Sequence, residues 1–281
     1  MKRYLLAAIA LATAIVGAAP GAQADPSPVG VANATGYYLA LGDSLAAGYQ
    51  PGQGDDRTGG YVGGVEAGIQ ASSPKTTLVN VACSGETSLT LVMGGTYCTY
   101  PEGSQLAHAL AFLHSHGAMT RQITIDIGAN DVQRCVRGVS VDPSCVETGF
   151  GQVGTYLPKA LAALRAAAPN ARILVLDYYD PFLAAWLTGS DGQALATESL
   201  VLQGYLNWII AQAAAGTGGV LVPISTAFKT TDSSLTTLPG FGSLPTNVAM
   251  ICTDTWMCTK GDIHANDAGY ALMASAVIAK L

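Results

Sequence analysis

Apolar residues are clustered along the chain in short unbroken runs, each closed by a break. Tyr37-Tyr38-Leu39-Ala40-Leu41 ends at Gly42, and Thr77-Leu78-Val79-Asn80-Val81 ends near Gly85. Gln122 to Ile127 stops at Gly128, Arg172 to Leu176 stops at Asp177, and Gly219 to Pro223 stops soon after. Five such runs, rich in Val, Ile and Leu, read as strands buried on both faces, as in a parallel sheet. Between them lie stretches with helical patterning, predicted over Gly63–Ser72, Ser104–Ser115, Thr155–Ala168, Gln193–Ala214 and Asn266–Leu281. Pro169-Asn170 stops the third. Strands alternating with helices predict an α/β fold with helices on both faces of the sheet. The Thr-, Ser-, Gly- and Pro-containing stretch from Ser225 to Thr259 has little periodicity and reads as a long loop. There is no internal repeat and no interdomain linker.

The first 24 residues are patterned differently. Lys2 and Arg3 precede an apolar run from Tyr4 to Val16, and Ala22-Gln23-Ala24 supplies the small residues of a cleavage site. This predicts a signal peptide over residues 1–24, cut after Ala24, with one domain over residues 25–281. The run is shorter than the roughly 20 residues of a membrane span. No later segment is long and apolar enough, so no stable membrane span is expected. The expected product is secreted and extracellular. Losing Lys2 and Arg3 takes the formal net charge from −6 to −8.

Composition removes several classes. With 49% hydrophobic and 11% charged residues, the chain is not intrinsically disordered. Thirteen Lys and Arg against 19 Asp and Glu give no basic patch for phosphates, so no nucleic-acid partner is expected. The six cysteines fall into three close pairs far from one another. Their spacing predicts bridges Cys83–Cys98, Cys135–Cys145 and Cys252–Cys258, in keeping with an oxidising compartment. No C-x-x-C is present. His108, His114 and His116 lie in or after a helix without a second ligand pattern, and read as a solvated face rather than a metal site.

A parallel sheet puts its chemistry at the carboxyl ends of its strands. There the sequence has Gly42-Asp43-Ser44, then Ala82-Cys83-Ser84-Gly85, then Gly128-Ala129-Asn130-Asp131, and, after the last strand and its loop, Asp262-Ile263-His264. A hydroxyl, a flexible backbone donor, an amide and an imidazole leaving one sheet edge are the parts of a serine esterase. Alone, Ser44 would read as a helix cap and Asn130 as a turn residue. Asp43 reads as a partner for loop backbone. The G-x-S-x-G elbow of the other large esterase fold is absent, because Ala46 stands two residues after Ser44.

Four blocks, Gly42-Asp43-Ser44-Leu45, Asn80 through Gly85, Gly128-Ala129-Asn130-Asp131 and His264 through Tyr270, occur in the order seen in the SGNH (GDSL lipase/esterase) hydrolases. The chain resembles a secreted actinobacterial member of that family over roughly residues 37–281. The resemblance implies a three-layer α/β/α sandwich around a flavodoxin-like five-stranded parallel sheet, and hydrolysis of a small ester or lipid without a cofactor. Carbohydrate deacetylase and phospholipase activities belong to the same fold, and a silent binding protein is a further alternative. The resemblance also implies Ser44 as nucleophile, His264 as general base, and an oxyanion hole of the Ser44 and Gly85 N–H groups with the Asn130 amide. One position departs. The family's Asp three residues before the histidine is Gly261 here. Asp262 is the expected third member, with a carbonyl near Gly261 or the carboxylate of Asp254 as alternatives. Tyr178, Tyr179, Phe182 and Trp186 are expected in the core or lining an acyl pocket. Asp126, inside an apolar strand, has no partner that the sequence names.

Overall fold

The computed structural model describes residues 36–281; the predicted signal peptide, its cut after Ala24 and the first residues of the expected domain lie outside them. In chain order the elements are β1 (Gly36–Gly42), α1 (Gly60–Gln70), β2 (Thr76–Asn80), α2 (Ser88–Met93), α3 (Gln105–His116), β3 (Thr120–Asp126) and α4 (Ala129–Gln133). The short strands β4 (Val136–Arg137) and β5 (Ser140–Val141) lead to α5 (Pro143–Ala167), β6 (Arg172–Leu176), the 3-10 helix Pro181–Thr188, α6 (Ser190–Gly216) and β7 (Val220–Val222). Then come α7 (Ile224–Ala227), β8 (Leu235–Leu238), β9 (Gly242–Pro245), α8 (Thr246–Asp254), α9 (Met257–Lys260) and α10 (Asp267–Ile278).

The five apolar runs form one sheet in the order β2-β1-β3-β6-β7, with every pairing parallel. β1 is second from the edge, and all seven of its residues are buried. That explains why it reads as a continuous apolar run rather than an alternating one. The fully buried Tyr38 hydroxyl is matched by Thr124 Oγ1 across the β1–β3 pair at 2.8 Å. α1 packs against α10, while α5 packs against both α3 and α6, completing the α/β/α layers.

Two predictions of local structure are corrected. The third helix begins at Pro143, twelve residues earlier than expected. Its start is fixed by Asp142, whose carboxylate accepts the Ser144 and Cys145 N–H groups, with Pro143 at the first helical position. The glycines that hid this part of the helix are permitted by packing: Gly149 lies so close to Asp131 that an added Cβ would be 2.4 Å from its carbonyl. The stretch 225–259 is not a long loop. It folds into the antiparallel β8–β9 hairpin and the short helices α7, α8 and α9, each too brief to establish a period.

The cysteines pair as 83–98, 135–145 and 252–258. Among the described residues no helix is long and apolar enough to cross a membrane.

Candidate active site

The site begins at the end of β1. Gly42 has φ +142°, and a Cβ there would sit 2.4 Å from the Asp126 carbonyl, so only glycine lets the chain turn here beside β3. Gln105, buried at the start of α3, brackets the turn from the other side. Its Oε1 accepts the Gly42 N–H at 2.7 Å, and its Nε2 donates to the Gly42 carbonyl at 3.0 Å. Asn80, closing β2, holds the next segment by donating to the Ala46 carbonyl at 2.8 Å. Ser44 is presented between these clamps, 9% exposed.

His264 arrives from the opposite end of the chain. The Cys252–Cys258 bridge ties α8 to α9, and Gly261 caps α9 with a left-handed φ of +67°. Trp256 N–H donates to the His264 carbonyl at 2.9 Å, and Thr255 bridges Ala265. His264 Nε2 then lies 2.8 Å from Ser44 Oγ, and Nδ1 lies 2.7 Å from Asp262 Oδ1. The same Asp262 oxygen accepts the His264 backbone N–H at 3.0 Å, which fixes the carboxylate on the near side of the ring. A two-residue separation therefore suffices, because Gly261 turns the chain so that Asp262 folds back. Asp254 and the Gly261 carbonyl, the two alternatives, are not bonded to the imidazole. Burial pushes the Asp262 carboxyl up, but the hydrogen bonds and charge of His264 more than offset this and hold it below the usual carboxylate range.

The three expected N–H donors stand on three loops, and of their residues Ser44 and Asn130, but not Gly85, line the cavity beside His264. Gly85 has φ +84°, in the region that favours glycine, although a side chain would meet nothing within 4 Å. The requirement there is conformational. Among the described residues neither the Ser44 nor the Gly85 N–H has an intramolecular acceptor. Asn130 Nδ2 donates one proton to the Glu86 carbonyl at 2.9 Å, which orients the amide and leaves its second proton unused. Ser44, Asn130 and His264 line one small cavity of about 20 Å³ with Leu45, Tyr178 and Tyr179.

Tyr178 and Tyr179 are both core and lining. Tyr178 Oη donates to Asp43 at 2.7 Å, and Tyr179 stacks on Phe228 and donates to the Ile263 carbonyl beside the histidine. Phe182 and Trp186 do not reach the cavity. His108 bonds Glu102 at 2.7 Å, and His116 stacks on Phe112. Among the described residues no group of three potential ligands is placed to hold a metal.

The sequence reading missed Gln105, and it missed Tyr49, whose ring centroid is 4.4 Å from that of His264 and whose backbone is tied to the Ser44 carbonyl at 3.0 Å. A fully buried glutamine one residue inside a helix has no pattern of its own; Tyr49 follows Gly48 in a stretch that reads only as a turn. A larger groove of about 810 Å³ lies between α5 and α6, lined by Phe150, Tyr205 and Trp208, and contains none of the residues above.

The chain matches a family model described as the GDSL-like Lipase/Acylhydrolase family over residues 40–272. Among solved structures it is similar to phospholipase A1 from Streptomyces albidoflavus NA297, at 22% identity and a TM-score of 0.53, with 88% of this chain and 99% of that one covered. It is also similar to a catalytic mutant of an acetylxylan esterase from Geobacillus stearothermophilus, at 18% identity and a TM-score of 0.54, with 88% and 94% covered. At these identities the likeness shows a shared fold. A search of curated protein sequences finds no match.

Proposed function

Since the chain belongs to the GDSL-like lipase/acylhydrolase family, and is therefore an ester hydrolase, we propose that it is a secreted serine carboxyl-ester hydrolase acting through an acyl-enzyme on short-acyl esters. The observation that carries the mechanism is the continuous chain Ser44 Oγ, His264 imidazole, Asp262 carboxylate, with links of 2.8 and 2.7 Å. A serine hydroxyl is a weak nucleophile until a base takes its proton as it attacks. His264 Nε2 is that base. Asp262 holds the proton on Nδ1, so that Nε2 has its lone pair toward Ser44, and it stabilises the imidazolium that forms. The negative charge that develops on the carbonyl oxygen meets the N–H groups of Ser44 and Gly85 and the second N–H of Asn130. Collapse of the tetrahedral adduct expels the alcohol, protonated by His264. Water, deprotonated by the same imidazole, then releases the acid and restores Ser44.

The small cavity beside Ser44 supports the acyl preference. About 20 Å³ is little more than the space of one water, and the buried Tyr178 and Tyr179 are part of its wall. A short acyl group such as acetyl asks for the least further opening, whereas a long acyl chain needs those rings to move. This favours the deacetylase reading over the lipase and phospholipase readings. Secretion is supported by the charged and apolar leader ahead of Ala22-Gln23-Ala24 and by the three cysteine pairs. A fluorophosphonate probe, followed by peptide mapping, is expected to label Ser44, and p-nitrophenyl acetate to be cleaved at least about tenfold faster than p-nitrophenyl octanoate. No label on Ser44 contradicts the mechanism, and a faster octanoate contradicts the acyl assignment. Protein recovered from culture medium should begin at Asp25.

A further inference from the structure

Asp126 closes β3 and is 1% exposed. Its partners all belong to the surroundings of Ser44. Tyr61 Oη donates to Oδ1 at 2.5 Å, and Ala46 N–H donates to Oδ2 at 3.2 Å. The Asp126 carbonyl accepts the Asp43 N–H at 3.1 Å, which sets the two buried carboxyl groups side by side, each acting on the other. Asp43 is 2% exposed, and its oxygens also accept the Leu45 N–H at 2.9 Å and the Tyr178 hydroxyl at 2.7 Å. One residue thus grips the chain immediately before and two residues after Ser44.

Two neighbouring carboxyl groups can share a hydrogen bond only if one of them carries a proton. The surroundings offer little to balance two negative charges. Among the described residues no Lys or Arg is ion-paired with either group. Facing the pair are Tyr61 from α1, Tyr38 on β1, Tyr178 and Tyr179 after β6, Tyr270 on α10, Glu86 after β2, and His264. Only His264 among them can be cationic, and it bears on Asp43. Two buried carboxylates in contact cannot both stay charged. Asp43, with two outside donors and the imidazole nearby, keeps the charge. Burial and that charge both push Asp126 well above the usual carboxylate range.

We propose that Asp126 is a positioning residue, a neutral carboxylic acid that holds the Ser44 loop against β3 by donating its proton to Asp43 while accepting the Ala46 N–H. The positioning part rests on the reading of Ser44 as nucleophile; the protonation part does not. An ionised Asp126 could not donate to Asp43, and the loop would lose one of its three ties while gaining a repulsion.

Asparagine is close in shape to the neutral acid, can donate through its amide and accept through its carbonyl, and is never charged. Asp126→Asn is therefore expected to keep kcat within about tenfold of wild type, whereas Asp126→Ala lowers kcat about a hundredfold with KM little changed, the penalty of a nucleophile displaced by the order of 1 Å. Equal kcat for both variants and wild type overturns the positioning role, and so does an Asn variant as poor as the Ala one. Isotope-edited infrared spectroscopy of 13C-aspartate-labelled Ser44→Ala protein reads the proton without any catalysis. A protonated-carboxyl band is expected to persist at about pH 8, above the range near 6 to which burial raises Asp131 and Asp180, and to vanish in Ser44→Ala/Asp126→Asn. Absence of that band at about pH 8 overturns the protonation even if neither Asp126 variant folds. Its presence beside an active Ser44→Ala would leave Asp126 neutral and sink the nucleophile assignment instead.

Discussion

His264 Nδ1 has a carboxylate partner two residues away in sequence, where a three-residue spacing is usual for the family, and a single-atom change tests that bond. Asp262→Asn keeps the size of the side chain but presents an amide that can hold the wrong imidazole tautomer, so kcat is expected to fall by about 10³–10⁴. Asp254→Asn, at a residue not bonded to the ring, is expected to stay within a few-fold of wild type. Steady-state kcat for the two variants decides between them; a large loss only in Asp254→Asn reverses the assignment. Asn130 is the analogous test for the oxyanion. Its amide is oriented by the Glu86 carbonyl at 2.9 Å, so Asn130→Ala removes a preorganised donor and should cost about 10²–10³ in kcat with KM nearly constant. A normal kcat would show that Asn130 merely shapes the turn. These residues were legible in the sequence because each follows a strand end in a recognisable block. Gln105, Tyr49 and the partners of Asp126 were not, since their roles come from contacts with residues 63 or more positions away in sequence that no local pattern records.

At the scale of elements, the five strands stand within two residues of their predicted limits, because strands buried on both faces announce themselves as continuous apolar runs. The helices were legible wherever Ala and Leu dominated. α5 was cut short in the reading because Gly149, Gly151 and Gly154 lower helix propensity, yet packing against α2, α4 and α6 overrides it. The N-cap was the signal available: Asp142 followed by Pro143. Asp142→Ala is expected to lower unfolding free energy by about 1 kcal/mol, read as a lower urea midpoint with an unchanged slope, while kcat is untouched. An unchanged midpoint would mean that the Cys135–Cys145 bridge, not the cap, fixes the helix start. The β8–β9 hairpin and α8 escaped notice for a different reason. Four-residue strands and a nine-residue helix give too few repeats for either period to emerge.

For the molecule as a whole, carboxyl groups rather than ion pairs fill the polar interior. Burial pushes Glu86 up to about 7 and Asp131 and Asp180 up to about 6, with hydrogen bonds only partly offsetting it. Unfolded carboxyls titrate near 4. The folded state therefore binds these protons more tightly than the unfolded chain. The stability they contribute is complete below about pH 4 and is lost as pH rises through 6 to 7. Asp262 has the opposite sign, since His264 holds it low, and its contribution fades only below about pH 4. The melting temperature is accordingly expected to be higher at about pH 5 than at about pH 8; a flat or rising profile across that interval contradicts the account of the buried acids.

The proposed mechanism turns on one hydroxyl, because the family match identifies a class of hydrolase and the geometry brings Ser44 to His264. The decisive measurement is kcat for p-nitrophenyl acetate hydrolysis by Ser44→Ala, in protein shown by circular dichroism to keep its fold. The account predicts that kcat falls by at least about 10³, leaving only what the oxyanion donors and binding provide. A variant retaining more than about a hundredth of the wild-type kcat would contradict it and place the nucleophile elsewhere.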